Sequence, residues 1–196
     1  MQMISALPQP VIASVHGIAT AAGCQLVASC DMAVAADGTR FGVNGVNIGL
    51  FCSTPMVALS RNVPAKVAFE MLTTGQFIDT ARAAQIGLIN RAVPPDDLEA
   101  DTLALANLVA SKLGAAVRIG KRAFYDQLGL PTAGWLTDRN THWARSAREE
   151  VRLAVRLDAI EHVRERHGVV RDGRLDVRPD AVDVARRVER DLGRGL

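Results

Sequence analysis

The residues that offer the most chemistry near the start of this 196-residue chain are small ones. Gly17-Ile18-Ala19-Thr20-Ala21-Ala22-Gly23 follows an apolar run and leads into Cys24-Gln25-Leu26-Val27-Ala28-Ser29. A stretch without bulk at the start of a helix lets backbone N–H groups approach a ligand. Fixed donors of that kind stabilise negative charge as it develops on a carbonyl oxygen, as in thioester chemistry. Close packing of strand against helix is the plainer use of the same residues. Gln25 has an amide that can hold water or substrate, or satisfy backbone in its own helical turn. Asn44 and Asn47 either line a pocket or simply shape a turn. Cys52 has no evident cationic partner and reads as an inert thiol. His16, at a strand end, suits a capping or core role, and Asp31 an anchoring one. His162 and His167 lack a third ligand at matching spacing, so no metal site is expected.

Positioning these groups requires a strand on each side of the small-residue turn. Pro8 and Pro10 push the residues before them toward extended backbone, and Val11-Ile12-Ala13-Ser14-Val15 reads as a buried strand ended by His16-Gly17. Cys30 to Ala36 returns as a second strand, followed by a turn at Asp37-Gly38 and a short strand at Arg40-Phe41. Gly42 to Leu50 is a loop of glycines and asparagines. Helical patterns then run from Pro55 to Asn62, Pro64 to Thr73, Asp79 to Ile86, Asp96 to Ala110 and Ala115 to Gln127, with one strand from Leu88 to Val93. Further on, Arg145, Arg148, Arg152 and Arg156 fall at helical spacing. A second charged helix is expected over residues 180–192, beyond a loop at residues 168–179.

The composition, 48% hydrophobic, 22% charged and 4% aromatic, suits a folded globular chain and excludes a disordered or fibrous one. A formal net charge of +2 gives no reason to expect nucleic acid. Three cysteines without a CxxC pair point to a reducing compartment. No signal peptide or membrane span is expected, since His16 and Gly17 interrupt the one apolar stretch near the start. Of 20 arginines, 14 fall from Arg139 onward, so the composition breaks in the last third.

From Pro10 to Asp31 the run Pro-Val-Ile-Ala-Ser-Val-His-Gly-Ile-Ala-Thr-Ala-Ala-Gly-Cys-Gln-Leu-Val-Ala-Ser-Cys-Asp resembles the signature of the enoyl-CoA hydratase/isomerase (crotonase) family. Phe41-Gly42, Gly49-Leu50, Leu72-Thr73-Thr74-Gly75, Ala81 to Ala84, Gly87-Leu88-Ile89-Asn90 and Val93-Pro94 follow in family order, up to about Leu130. The strings Ala-Thr-Ala-Ala-Gly-Cys-Gln-Leu and Gly-Val-Asn-Ile-Gly-Leu-Phe-Cys-Ser-Thr-Pro are most similar to the branch of enoyl-CoA hydratase domain-containing protein 3. The resemblance implies an α/β fold, the crotonase-like (ClpP/crotonase) ββα superhelix, incomplete and with a helical C-terminal region. Residues 1–130 would be a partial acyl-CoA-binding domain and residues 131–196 a divergent, arginine-rich helical tail.

The same resemblance implies that the partner is an acyl-CoA thioester, with coenzyme A entering as part of the substrate and no separate cofactor. Ala22 N–H, flanked by Ala21 and Gly23, would be one oxyanion donor. The second would come from an earlier strand–helix junction of the family domain, which falls before Met1. Hydratases of the family carry two glutamates where this chain has Gln25 and Gly45, so neither carboxylate is present and hydratase activity is in doubt. Asn44, Gly45 and Asn47 would border the acyl pocket. A homo-oligomer, trimer or hexamer, is implied. The expected compartment is the cytoplasm, or the mitochondrial matrix if a transit peptide lies in the part before Met1. The alternative reading is a non-catalytic acyl-CoA-binding or assembly module.

Overall fold

Parallel strands cannot be joined by a tight turn, so a chain that builds them must wind. A computed structural model of the protein describes residues 1–130, Glu149, Val151 and two further strands, Gly168–Arg171 and Arg174–Val177. After a short helix α1 (Gln2–Ala6) come β1 (Ile12–Val15), β2 (Ile18–Thr20), α2 (Ala22–Ser29), β3 (Met32–Ala36) and β4 (Arg40–Gly42). β1 pairs in parallel with β3, Ile12 opposite Met32, while β2 pairs in parallel with β4, Ile18 opposite Arg40. Each strand–strand–helix unit thus gives its first strand to one sheet and its second strand to another. This is the ββα winding. β5 (Arg91–Val93) extends the first sheet in the order β1-β3-β5.

Between β4 and β5 lie a 3-10 turn (Asn44–Ile48), α3 (Ser53–Asn62), α4 (Ala65–Thr74) and α5 (Thr80–Gln85). α4 buries Ala68, Met71 and Leu72, which share one face at helical spacing. It stops at Gly75, whose φ of 64° puts the C-cap in the left-handed region. α5 starts because the Asp79 carboxylate accepts from Arg82 N–H at 2.8 Å. A 3-10 turn (Pro95–Asp97), α6 (Leu98–Ala110) and α7 (Gly114–Leu128) follow. The core gathers Val15, Ala19, Cys24, Val27, Phe41, Leu59 and Leu72 from both sheets and from α2, α3 and α4. Among the described residues no single helix is long and apolar enough to cross a membrane.

Asp31, at the junction of α2 and β3, draws distant parts of the chain together. Its Oδ2 accepts from Val11 N–H at 2.6 Å and from Lys121 Nζ at 2.7 Å, and its Oδ1 accepts from Tyr125 Oη at 2.7 Å. Lys121 Nζ also donates to the carbonyls of Ile4 and Gln9, at 2.8 and 2.9 Å. All three ammonium protons are therefore used. Burial and the hydrogen bond to Asp31 push the Tyr125 phenol well above its ordinary pKa, so it stays protonated and donating. The anchoring role expected of Asp31 is what the structure shows.

The structure also departs from the sequence reading. Ile18–Thr20 is a strand and not part of a turn, because it pairs with Arg40–Gly42. The strand expected from Leu88 is shorter and starts at Arg91. Leu88 and Ile89 bend back to the carbonyl of Ala83, and Asn90 pairs with Ala33 through both its own N–H and its side-chain oxygen.

The chain divides into two compact units, Met1–Gly129 and Leu130–Leu196. In the second, where a loop is expected over residues 168–179, β6 (Gly168–Arg171) and β7 (Arg174–Val177) pair antiparallel. Asp172-Gly173 between them is the sequence signal for a hairpin. Glu149 and Val151 are helical, within the expected arginine-bearing segment. The rest of that segment, the helix expected over residues 180–192, and His162 and His167 lie outside the described residues.

Removing one partner of a buried, hydrogen-bonded ion pair strands the other, and Lys121 and Asp31 side chains are only 6% and 12% exposed. Asp31→Ala is expected to lower the unfolding free energy by about 3–5 kcal/mol in urea denaturation, and Asp31→Ala with Lys121→Met to recover much of that loss. A single-variant loss below about 1 kcal/mol, the range of an exposed pair, would contradict the role assigned to the clasp.

Candidate functional site

Ala21, the N-cap of α2, has φ 46° and ψ −113°. It is the only non-glycine residue at positive φ among those described, a conformation costing about 1–3 kcal/mol. The surroundings hold it there. Ala21 N–H donates to Gly42 O at 3.0 Å, which fastens the turn to the end of β4, and Ala21 O accepts the first helical bond, from Gln25 N–H, at 3.0 Å. The amides of Ala22, Gly23 and Cys24 precede that ladder and have no partner within the helix. Ala22 and Gly23 are exposed, and they stand at the partial positive end of an eight-residue helix. The sheet and the turn therefore present two accessible N–H groups.

Gln25 lies three residues beyond Ala22, on the same side of the helix. It is half-buried, and its side-chain amide makes no hydrogen bond among the described residues. The alternative reading, in which Gln25 satisfies its own turn, does not match this arrangement; Ser29 Oγ instead takes up the Gln25 carbonyl at 2.7 Å.

The 3-10 turn is tied to this region by Thr20, whose hydroxyl donates to Asn44 Oδ1 at 2.7 Å. In the sequence Thr20 stands only as one of the small residues of the run, and its hydroxyl, with an asparagine-rich loop to follow, is the one signal for this tie. Asn44 is thus occupied in joining β2 to the loop. Asn47 is exposed and reaches the other way, its Nδ2 donating to Gly75 O across a long 3.4 Å. Gly45 sits within the turn with no free volume at its α carbon: a Cβ there would lie 2.6 Å from Leu50 O and 2.8 Å from Cys52 Sγ. The structure therefore groups Ala21, Ala22, Gly23 and Gln25 on one helical turn, ties Asn44 and its neighbour Gly45 to it through Thr20, and turns Asn47 toward α4.

The remaining candidates are not built for reaction. Cys24 is 1% exposed, and burial pushes its thiol up to about 11. Cys52 is half-buried, packed beside Gly45. His16 is exposed, which corrects the core role considered for it, since it lies on the solvent side of the β1–β2 link. Among the described residues no group of three His, Cys, Asp or Glu is placed to hold a metal ion.

The model of the family described as enoyl-CoA hydratase/isomerase matches residues 1–151. The chain belongs to that family. The match begins ahead of Leu7 and runs past Leu130, where the motif resemblance stops. Enoyl-CoA hydratase domain-containing protein 3 of Mus musculus, a mitochondrial protein, is 54% identical over 141 residues, covering 71% of this chain and 47% of the relative. Crotonyl-CoA hydratase of Syntrophomonas wolfei is 35% identical over 126 residues, covering 62% and 47%. Among solved structures, human enoyl coenzyme A hydratase domain-containing protein 3 superimposes with a TM-score of 0.66 at 43% identity, covering 88% of this chain and 60% of that one. Enoyl-CoA hydratase of Bacillus anthracis gives 0.72 at 27% identity, covering 88% and 66%. The fold is the crotonase fold, and the branch read from the sequence strings is the one to which the mouse and human proteins belong. The chain spans about half the length of the curated relatives it matches.

Two substitutions, one at the α2 turn and one in the loop tied to it, are expected to move stability in opposite directions. Ala21→Gly relieves the positive φ and should raise the urea unfolding free energy by about 1 kcal/mol, the relief outweighing the entropy of glycine. Gly45→Ala should lower it by about 1–3 kcal/mol through overpacking against Leu50 and Cys52. Shifts of the same sign would contradict the description of the turn.

Proposed function

We propose that this chain binds acyl-CoA thioesters and polarises the thioester carbonyl with the amide of Ala22, flanked by Ala21 and Gly23, without hydrating the acyl chain. The observation that supports the reading is the strained backbone of Ala21. It uses up its own N–H on Gly42 and leaves the next two amides accessible, and strain held in place by surrounding structure is a mark of function. A donor at that place is worth about 10²–10³ in rate where a full site exists. The second donor of the oxyanion hole is supplied in this proposal by the earlier strand–helix junction of the family domain. Gln25, with its amide unengaged, holds the carbonyl-side water or the substrate by hydrogen bonding. Asn44 and Gly45, tied to the turn through Thr20, border the acyl chain, and Asn47, facing Gly75, reaches it only at its far end.

Hydration needs a base to activate water and an acid to protonate the α carbon, each contributing about 10²–10⁴-fold. Gln25 and Gly45 stand where those carboxylates would be and can do neither. Coenzyme A arrives with the substrate, and the proposal includes no cofactor of the protein's own. The three unpaired thiols suit a reducing compartment, cytoplasm or mitochondrial matrix, the second being the one that the animal relatives' names carry.

A second reading, a non-catalytic module that joins family oligomers, is favoured by one observation. Ile48, Leu50, Phe51 and Phe69 are between 47% and 76% exposed, more apolar surface than a lone subunit has reason to show. A trimer or hexamer is the assembly proposed, measurable by light scattering.

Replacing Ala22 by the matching α-hydroxy acid turns its amide into an ester and deletes the N–H without altering the backbone angles that Ala22→Pro would disturb at Ala21. Affinity for crotonyl-CoA should fall about tenfold, as for loss of one good hydrogen bond, while affinity for free CoA stays unchanged. Equal losses for both ligands would assign Ala22 to packing alone. Hydration of crotonyl-CoA at ordinary enzyme rates by the unmodified chain would overturn the non-hydratase reading.

A further inference from the structure

The entry segment before β1 and the facing sides of α6 and α7 border a half-open cavity of about 540 Å³, within the range of small-molecule sites. It shares no residue with the turn at α2. Pro10, Ile12, Ala106, Val109 and Val117 form apolar walls, while Lys112 and Arg118 bring two positive charges and no acidic residue lines the space. Among the described residues neither cation is paired with a carboxylate, the ion pairs there being Lys121 with Asp31 and Arg122 with Asp126. The first turn of the 15-residue α7 also borders the cavity through Gly114 and Ala115, so the helix adds partial positive charge at the same end.

Apolar walls with cations at one side ask for a ligand that is apolar over most of its length and anionic at one end. A small anion would leave the walls wet, and a neutral lipid would leave both cations unanswered. We propose that this cavity binds a medium-chain fatty carboxylate, its chain against Ile12, Ala106 and Val109 and its head group between Lys112 and Arg118. Both basic side chains are exposed, so the apolar contact supplies most of the affinity and the charges supply selectivity.

The test is titration of the full chain with decanoate, kept below its micelle concentration, followed by calorimetry. Saturable binding of one decanoate per chain is expected, about tenfold weaker for Lys112→Ala with Arg118→Ala and weaker again as salt rises. Decanol should bind about as weakly to the unmodified chain as decanoate binds to that double variant. Ala106→Trp, which fills the apolar part, should abolish binding while the double variant, changed only at exposed positions, keeps the melting temperature of the parent. The absence of saturable binding, unchanged affinity in the double variant, or displacement of decanoate by inorganic phosphate at similar concentration would each overturn the proposal.

Discussion

One carboxylate, that of Asp31, holds the ββα winding closed against the helices that follow it. Its two oxygens take donors from Val11 just ahead of β1, from Lys121 and from Tyr125, the last of them 94 residues away in the chain. A buried ammonium and a buried carboxylate each lose several kcal/mol of hydration, so the arrangement is tolerable only because every donor has an acceptor. Lys121 meets that condition with Asp31, Ile4 and Gln9. The consequence is geometric as much as energetic: the junction between α2 and β3 cannot shift without breaking several charged hydrogen bonds at once. The helix that carries the candidate donors is therefore held at its far end by this clasp and at its near end by the bond from Ala21 to Gly42.

Held at both ends, α2 can keep an alanine in a conformation that a free peptide would abandon. The ψ of −113° that follows the positive φ at Ala21 is what turns the chain from β2 into the helix within one residue. That leaves no room for extra backbone between the sheet and the exposed amides. Rigidity of this kind is what electrostatic stabilisation of a developing oxyanion requires, because donors that had to reorient would lose their advantage.

Much of the fold was legible in the sequence, and the parts that were not have physical reasons. β1 and β3 stand out as apolar runs, and α4 and α5 as helical patterns starting near Pro64 and Asp79, because local rules govern such elements. β2 hid inside the small-residue run: three residues are too few for a period, and its strand character comes from pairing with β4, more than 20 residues on. The hairpin of β6 and β7 was masked by charged residues around Asp172-Gly173. The run from Gly17 to Gly23 contains the turn into α2, but no spacing rule says which residue in it adopts positive φ. Glycines stand at both ends of that run, yet Ala21 carries the turn at α2. Lys121 and Asp31, 90 residues apart, could not be paired from sequence because a contact set by tertiary packing leaves no local trace.

The crowding around Gly45 bears on how a protein of this kind could change its chemistry over generations. The carbonyl of Leu50 and the sulfur of Cys52 occupy the space into which any side chain at position 45 would grow. A lineage passing through single substitutions at this position would meet a less stable loop before it gained the reach of a longer side chain. Placing a larger side chain at position 45 is thus a matter of rebuilding the loop from Asn44 to Cys52, by changing its length or its path, and only then its side chains. The glycine is the keystone of a loop drawn tightly over its own α carbon.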